Sequence, residues 1–327
     1  MLPRVEAASI PAGKLPRTRH TGDRVGDGLL YGLTAIASIL GVLIVFAIIW
    51  RVADGAWPAI KVFKVGFLYH TQWNATLNQF GAREFIIGTV VTAFGAMLLS
   101  APLSIAIGLF LSELAPPAIR APIGTLIDML AAVPSVVIGL WGIYVLAPFD
   151  AQHVQPLLHS VLGWIPIFGG DAHTESTVFT AIVVLTIMTI PITCSICREL
   201  FIGVPSELEE GSIGLGATRW EMVKTVVVPS VRGGIVAAII LGLGRALGEA
   251  IAVTQVIGNF IPLKTTLFAP GDTIASRVAN QYQGAQTNLQ IASLIYLALV
   301  LLVITFLTNY AAQRVVKRFE FQRTGGA

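Results

Sequence analysis

Long apolar blocks alternate with shorter polar connections along the whole chain. Leu29–Trp50 opens the series, with no charge between Leu29 and Ile49. Phe85–Ser112, Ala121–Pro148 (one acid, Asp128), Thr177–Cys197, Gly233–Phe260 (one Arg, one Glu) and Leu289–Gln313 follow. A helix needs about 20 apolar residues to cross a bilayer, so the pattern predicts six transmembrane helices and an all-α polytopic membrane protein. The first block is longer than the core of a cleaved signal, and 28 mostly polar residues precede it; it reads as a retained anchor.

Composition narrows the class further. Hydrophobic residues make up 55% of the 327 and charged residues 12%, about half the charge of a soluble domain. Lysine and arginine favour the inner side of a membrane. With six helices, Arg4, Lys14, Arg17, Arg19, Arg24, Arg120, Arg198, Arg219, Lys224, Arg232, Arg314, Lys317, Arg318 and Arg323 share one side. Only Arg51, Lys61, Lys64, Arg83, Lys264 and Arg277 fall on the other. Both termini are therefore expected in the cytoplasm, and the net charge of +3 reads as topology bias rather than nucleic-acid binding. Residues 1–27 read as a flexible cytoplasmic tail, 28–315 as a single transmembrane domain with a cytoplasmic loop at 198–232, and 316–327 as a second tail.

Three outer segments are long: Arg51–Glu84, Phe149–Ser176 and Ile261–Asn288. Trp50, Trp57, Trp73, Trp141 and Trp164 sit in them or at helix ends, which suits anchoring at the bilayer interface; a docking platform for an outer partner is the alternative. Pro102, Pro134 and Pro191 each remove a backbone donor and can kink a span. The small residues of Ala131–Ser135 and Gly139–Gly142 permit close packing, so the third helix is expected to be buried within the bundle. Cys194 and Cys197 lie on an apolar helix without a second cysteine pair or a nearby histidine, and read as structural. The histidines His153, His159 and His173 are scattered, and no metal or cofactor site is expected.

The 198–232 loop has internal order. Pro205-Ser206-Glu207 resembles a helix start, with Ser206 as cap and Glu209 three residues on. Gly214 and Gly216 interrupt that helix. Thr218 can cap a second one, Arg219–Val228, with Glu221 in the reciprocal position, and Pro229 is expected to end it. The element should project from the membrane and expose Glu210, Gly211 and Ser212. Here the sequence resembles the cytoplasmic signature of ABC importer permeases: E-A-A, three residues, G, nine residues, I-x-L-P. The anchors are Glu210, Gly211, Ser212, Gly216 and Val226-x-Val228-Pro229, with Gly-Ser for Ala-Ala and valine for Ile and Leu. The resemblance implies a type I importer fold and a coupling helix that inserts into a separate ATPase subunit. The chain carries no Gly-rich phosphate loop of its own, so ATP hydrolysis falls to that partner and no catalysis to this chain.

Helix five carries Arg245 and Glu249. Entering at Gly233, it would place Arg245 about 18 Å deep at 1.5 Å per residue, near the midplane, with Glu249 on the same face one turn on. A charge there must face protein or water. A neutralising bridge is one reading. The other is an anion path, for which the planar guanidinium fork is suited. A carboxylate beside it can accept the proton of a phosphate and repels sulfate.

The tract Arg245-Ala-Leu-Gly-Glu-Ala-Ile-Ala-Val-Thr-Gln-Val-Ile-Gly-Asn259 resembles that of phosphate importer permeases of the PstC kind, as do Ala131–Gly142 and Phe85–Thr89. The resemblance spans residues ~29–315. It implies a bacterial plasma-membrane subunit paired with a PstA-like permease, two PstB-like ATPase subunits and an extracytoplasmic phosphate-binding protein. Alternatives are a permease for sulfate, molybdate or amino acids, and, in other classes, an ion-driven secondary anion transporter or a membrane enzyme. The secondary transporter would require inverted repeats and have no use for the docking loop.

Overall fold

The sixth apolar block and the five before it all become helices. In the computed structural model, which describes residues 21–324, six helices among the described residues are long and apolar enough to cross a membrane: Gly26–Leu68, Arg83–Leu114, Ser135–Leu162, Val178–Ile202, Arg219–Gly248 and Asn288–Arg314. They are called spans one to six. Of the expected tails 1–27 and 316–327, residues 1–20 and 325–327 lie outside the described residues, while 21–27 and 316–324 continue the adjoining helices. The chain divides into two units, residues 1–51 and 52–327. The described part of the first unit is helical, with apolar side chains such as Leu33, Ile36, Val42 and Phe46 exposed, a surface suited to lipid.

In the second unit, span four is the hub. Of its apolar window 67% is buried, against spans two and five and the helix Pro117–Ala131. Its residues Val178, Ile182, Leu185 and Met188 form one core with Ala252, Val253, Val256 and Ile257. Burial of this kind supplies packing contacts rather than hydrophobic drive inside a bilayer, which explains the small residues at the crossings.

The third helix differs from expectation in three ways. Helix Pro117–Ala131 stops short, and span three starts afresh at Ser135 after Ala132–Pro134. Proline has no amide to give and disfavours the helical conformation at the residue before it. Span three then runs past Phe149 to Leu162 through two π-helical turns, Gly142–Leu146 and Asp150–Val154. Its polar residues Asp150 and Gln155 point inward and are buried, with Gln155 Nε2 donating to Thr174 O at 2.9 Å. Nor is the third helix wrapped by this chain: Leu126, Met129, Val137, Leu140, Trp141 and Tyr144 are exposed. Only a narrow stripe packs. Gly139 is one of its points of contact, since a Cβ there would lie 2.9 Å from the Ala252 backbone.

The segments expected as outer loops are folded against one another. Trp73–Asn74 and Gln79–Phe80 form a two-stranded antiparallel ribbon. Phe67, Phe80, Phe85, Ile274 and Leu294 make a shared core. Trp73 belongs to it rather than to a membrane interface: its ring meets Phe80 and Phe85 edge-on, and its Nε1 donates to Gln281 Oε1 at 2.8 Å. Trp164, by contrast, is 81% exposed.

Candidate functional site: a broken helix and a projecting segment

Span five is continuous from Arg219 to Gly248, and Pro229 does not end it. The π-helical turn Val223–Val227 precedes the proline, which takes the start of the next helical stretch; there its missing amide costs little. The interruption comes later, where the sequence suggested none. Glu249 is extended (φ −70°, ψ 118°) and a separate short helix, Ile251–Val256, follows. Arg245 therefore occupies the last turn of a helix, where a cation meets the negative end of the dipole. Glu249 lies beyond the break, and its Oε1 accepts from Ala252 N at 3.2 Å. The continuous face expected for the two charges is replaced by a corner. Among the described residues no ion pair joins Arg245 to Glu249, and Arg245 is exposed.

A polar framework that sequence reasoning missed holds the short helix in place. Asn259, at φ 52°, donates from Nδ2 to Thr254 O at 2.7 Å and accepts from Ser276 Oγ at 2.8 Å. Thr254 Oγ1 lies 3.0 Å from the same hydroxyl. Ser276 belongs to the helix Ile274–Gln281, capped by Thr273. Behind it Arg277 Nη2 meets Asp272 Oδ2 at 2.6 Å, with both side chains buried, and the guanidinium stands 4.9 Å over the Phe85 ring. Burial raises the Asp272 carboxyl and lowers the Arg277 guanidinium, each opposed by the partner's charge. The backbone comes closest at Gly88, where a Cβ would lie 2.0 Å from Asp272 O. Nothing local in the sequence pairs residues 272 and 277 with 85–89; only the fold does.

The projecting segment is largely as expected. Helix Ser206–Gly214 is followed by Gly216 at φ 92°, a left-handed turn that glycine adopts without penalty. Thr218 and Glu221 form the reciprocal capping box, with Glu221 Oε2 accepting from Thr218 N at 2.8 Å. Ser206 does not cap: Pro205 holds that position without a side-chain hydrogen bond. Glu210 and Gly211 are exposed and Ser212 is half-buried. The segment also presents Leu215 at 92% and Trp220 at 71% exposure, apolar surface that water alone does not favour. Beneath it a notch of about 200 Å³ is lined by Glu113, Glu209, Arg219 and Met222, among others. Partial burial, then the charges of Glu113 and Glu210, push the Glu209 carboxyl above its ordinary value.

Residues 104–321 match the family described as "Binding-protein-dependent transport system inner membrane component". The chain belongs to this family. The permease is also 40% identical over 321 residues to the phosphate transport system permease protein PstC of Mesorhizobium japonicum, covering 95% of this chain and 98% of the relative. It is 40% identical over 306 residues to the protein of the same name from Pasteurella multocida, with 93% and 95% covered. In fold it resembles a chain from the crystal structure of a bacterial alginate ABC transporter in complex with alginate pentasaccharide-bound periplasmic protein. The TM-score is 0.56 at 20% identity, over 90% of this chain and 98% of that one. The permease thus has the transmembrane-domain fold of an ABC importer, and its six apolar helices are membrane spans.

Proposed function

We propose that this permease carries inorganic phosphate across the bacterial plasma membrane as one half of an ATP-driven importer. The break after Arg245 carries the reading. An arginine at membrane depth with no ion pair among the described residues keeps its donors for an anion. Glu249, one corner away, can accept a hydrogen bond from the hydroxyl that phosphate retains and sulfate lacks. The names of the curated relatives support the same cargo. Exposed apolar residues on the third helix suit a second, PstA-like permease subunit. Glu210–Gly216 suits a docking groove on one of the two PstB-like ATPase subunits, and the segment's direct continuity with span five gives ATP-driven motion a covalent route to Arg245. Both termini lie in the cytoplasm on this reading, and an extracytoplasmic phosphate-binding protein delivers the anion to the opposite face.

Reconstituting the permease with its partner subunits in vesicles tests this. ATP-dependent uptake of phosphate, with sulfate excluded, is the expected result; uptake of sulfate in preference to phosphate, or uptake driven by an ion gradient without ATP, overturns it.

A further inference from the structure

Another arginine stands inside a span, away from the break. Arg198 lies four residues before the end of span four at Ile202. Its Nη2 is 3.4 Å from Asp128 Oδ2 on the helix Pro117–Ala131. Asp128 Oδ1 in turn accepts from Ser195 Oγ at 2.7 Å. The other arm of the guanidinium lies along bare backbone: a Cβ on Gly124 would stand 2.4 Å from Arg198 Nη1.

Three features distinguish this group from a packing bridge. The contact is long and one-armed, unlike the 2.6 Å pair of Arg277 and Asp272, so most of the five guanidinium donors are left for another acceptor. The Asp128 side chain is 51% exposed in a helix whose neighbouring Leu126, Met129 and Leu130 are also exposed. A carboxylate so exposed beside apolar side chains is suited to water or a partner subunit rather than hydrocarbon. Arg198 also stands eight residues before Ser206, the start of the projecting helix Ser206–Gly214, so whatever it binds is close in the chain to that segment.

We propose that Asp128, Ser195 and Arg198 form a second station for the permeating anion, on the side of the permease that carries the 198–232 connection. The anion displaces the Asp128 carboxylate from Arg198, and the carboxylate reclaims the arginine as the anion leaves, which prevents a lasting trap. This rests on the reading of the permease as an oxyanion importer.

The complete complex, reconstituted in vesicles, supplies the test, with assembly verified by recovery of all subunits. Arg198→Gln should lower the maximal phosphate uptake rate about tenfold or more. The double variant Asp128→Asn/Arg198→Gln should stay equally low, because no arginine remains at this station to receive the anion. A bridge that only neutralises charge behaves in the opposite way: removing both charges leaves none unpaired. Recovery of the double variant to the wild-type rate therefore overturns the proposal, as does a wild-type rate in Arg198→Gln. Asp128→Asn keeps the shape and the Ser195 acceptor while removing the competitor for Arg198. It should lower the internal phosphate concentration that inhibits uptake, and unchanged inhibition overturns the proposal. A wild-type complex that imports no phosphate sinks the cargo assignment instead, which separates the two failures.

Discussion

The Glu249 carboxylate accepts the amide of Ala252 at 3.2 Å, so the acid beyond the break in span five caps the short helix that follows it. On the proposed reading the same side chain also discriminates between anions, and the two roles can be separated. Glu249→Gln keeps an acceptor oxygen and should leave thermal stability within about 0.5 kcal/mol of wild type, whereas Glu249→Ala loses the cap at about 1 kcal/mol. In transport, Glu249→Gln should weaken the discrimination of phosphate from sulfate. Unchanged phosphate uptake together with unchanged sulfate exclusion refutes the role given to Glu249.

Arg245 offers a complementary separation. It is exposed and forms no ion pair among the described residues, so Arg245→Lys should melt close to wild type. Lysine keeps the charge and lacks the planar fork. Phosphate uptake should fall about tenfold or more with recovery of the assembled complex unchanged. Equal uptake by the lysine variant would show that Arg245 sets only a field along the path.

What the sequence made legible follows a physical rule. Apolar runs of spanning length have no other stable home than the bilayer, so all six helices could be read, as could the turn at Gly216 and the cap at Thr218, which depend on neighbours a few residues away. The break at Glu249 was illegible because residues 245–252 contain no proline, and the glycine before it, Gly248, is of a kind that membrane spans commonly carry without interruption. The short helix beyond it is held from outside, by Asn259, Ser276 and the close approach of Gly139. Pro229 misled in the opposite direction: a local rule ends the helix there, and a π-helical turn carries the chain through. Asp150 and Gln155 looked like loop residues because polarity alone cannot show that a side chain points inward.

Gly88 tests the framework behind the break. A Cβ there would meet the Asp272 carbonyl oxygen at 2.0 Å, and a backbone atom cannot swing aside as a side-chain end can. Gly88→Ala should destabilise the permease by about 2 kcal/mol or more, read as a lowered melting temperature of the purified complex. A melting point equal to wild type would mean that the 272–277 loop is free to move away from span two.

Leu215 and Trp220 project without support from the rest of the chain, so replacing them tests docking without disturbing the fold. Leu215→Asp should leave the melting temperature of the isolated permease unchanged, since surface substitutions usually stay within about 0.5 kcal/mol. It should reduce the ATPase chain recovered with it about tenfold, with a parallel loss of stimulated ATP hydrolysis. Full recovery and full stimulation would place the docking contact elsewhere on the segment.

The pH response of the same segment follows from Glu209. Its carboxyl is raised, first by partial burial and then by the like charges of Glu113 and Glu210, while Arg219 lines the same notch. A carboxyl with a raised value in the folded state is protonated there more readily than in the unfolded chain. Its favourable contribution is complete below the ordinary carboxylate value and disappears as pH rises through the raised folded value. At about pH 7 the ionised group therefore opposes the contact between helix Ser206–Gly214 and the end of span two. Glu209→Gln should raise the melting temperature at neutral pH, and the advantage should shrink as the pH is lowered through the carboxylate range, vanishing below it. A gain that is constant with pH would assign the effect to packing rather than charge, and a loss at neutral pH would mean that Arg219 already neutralises Glu209 in the folded permease.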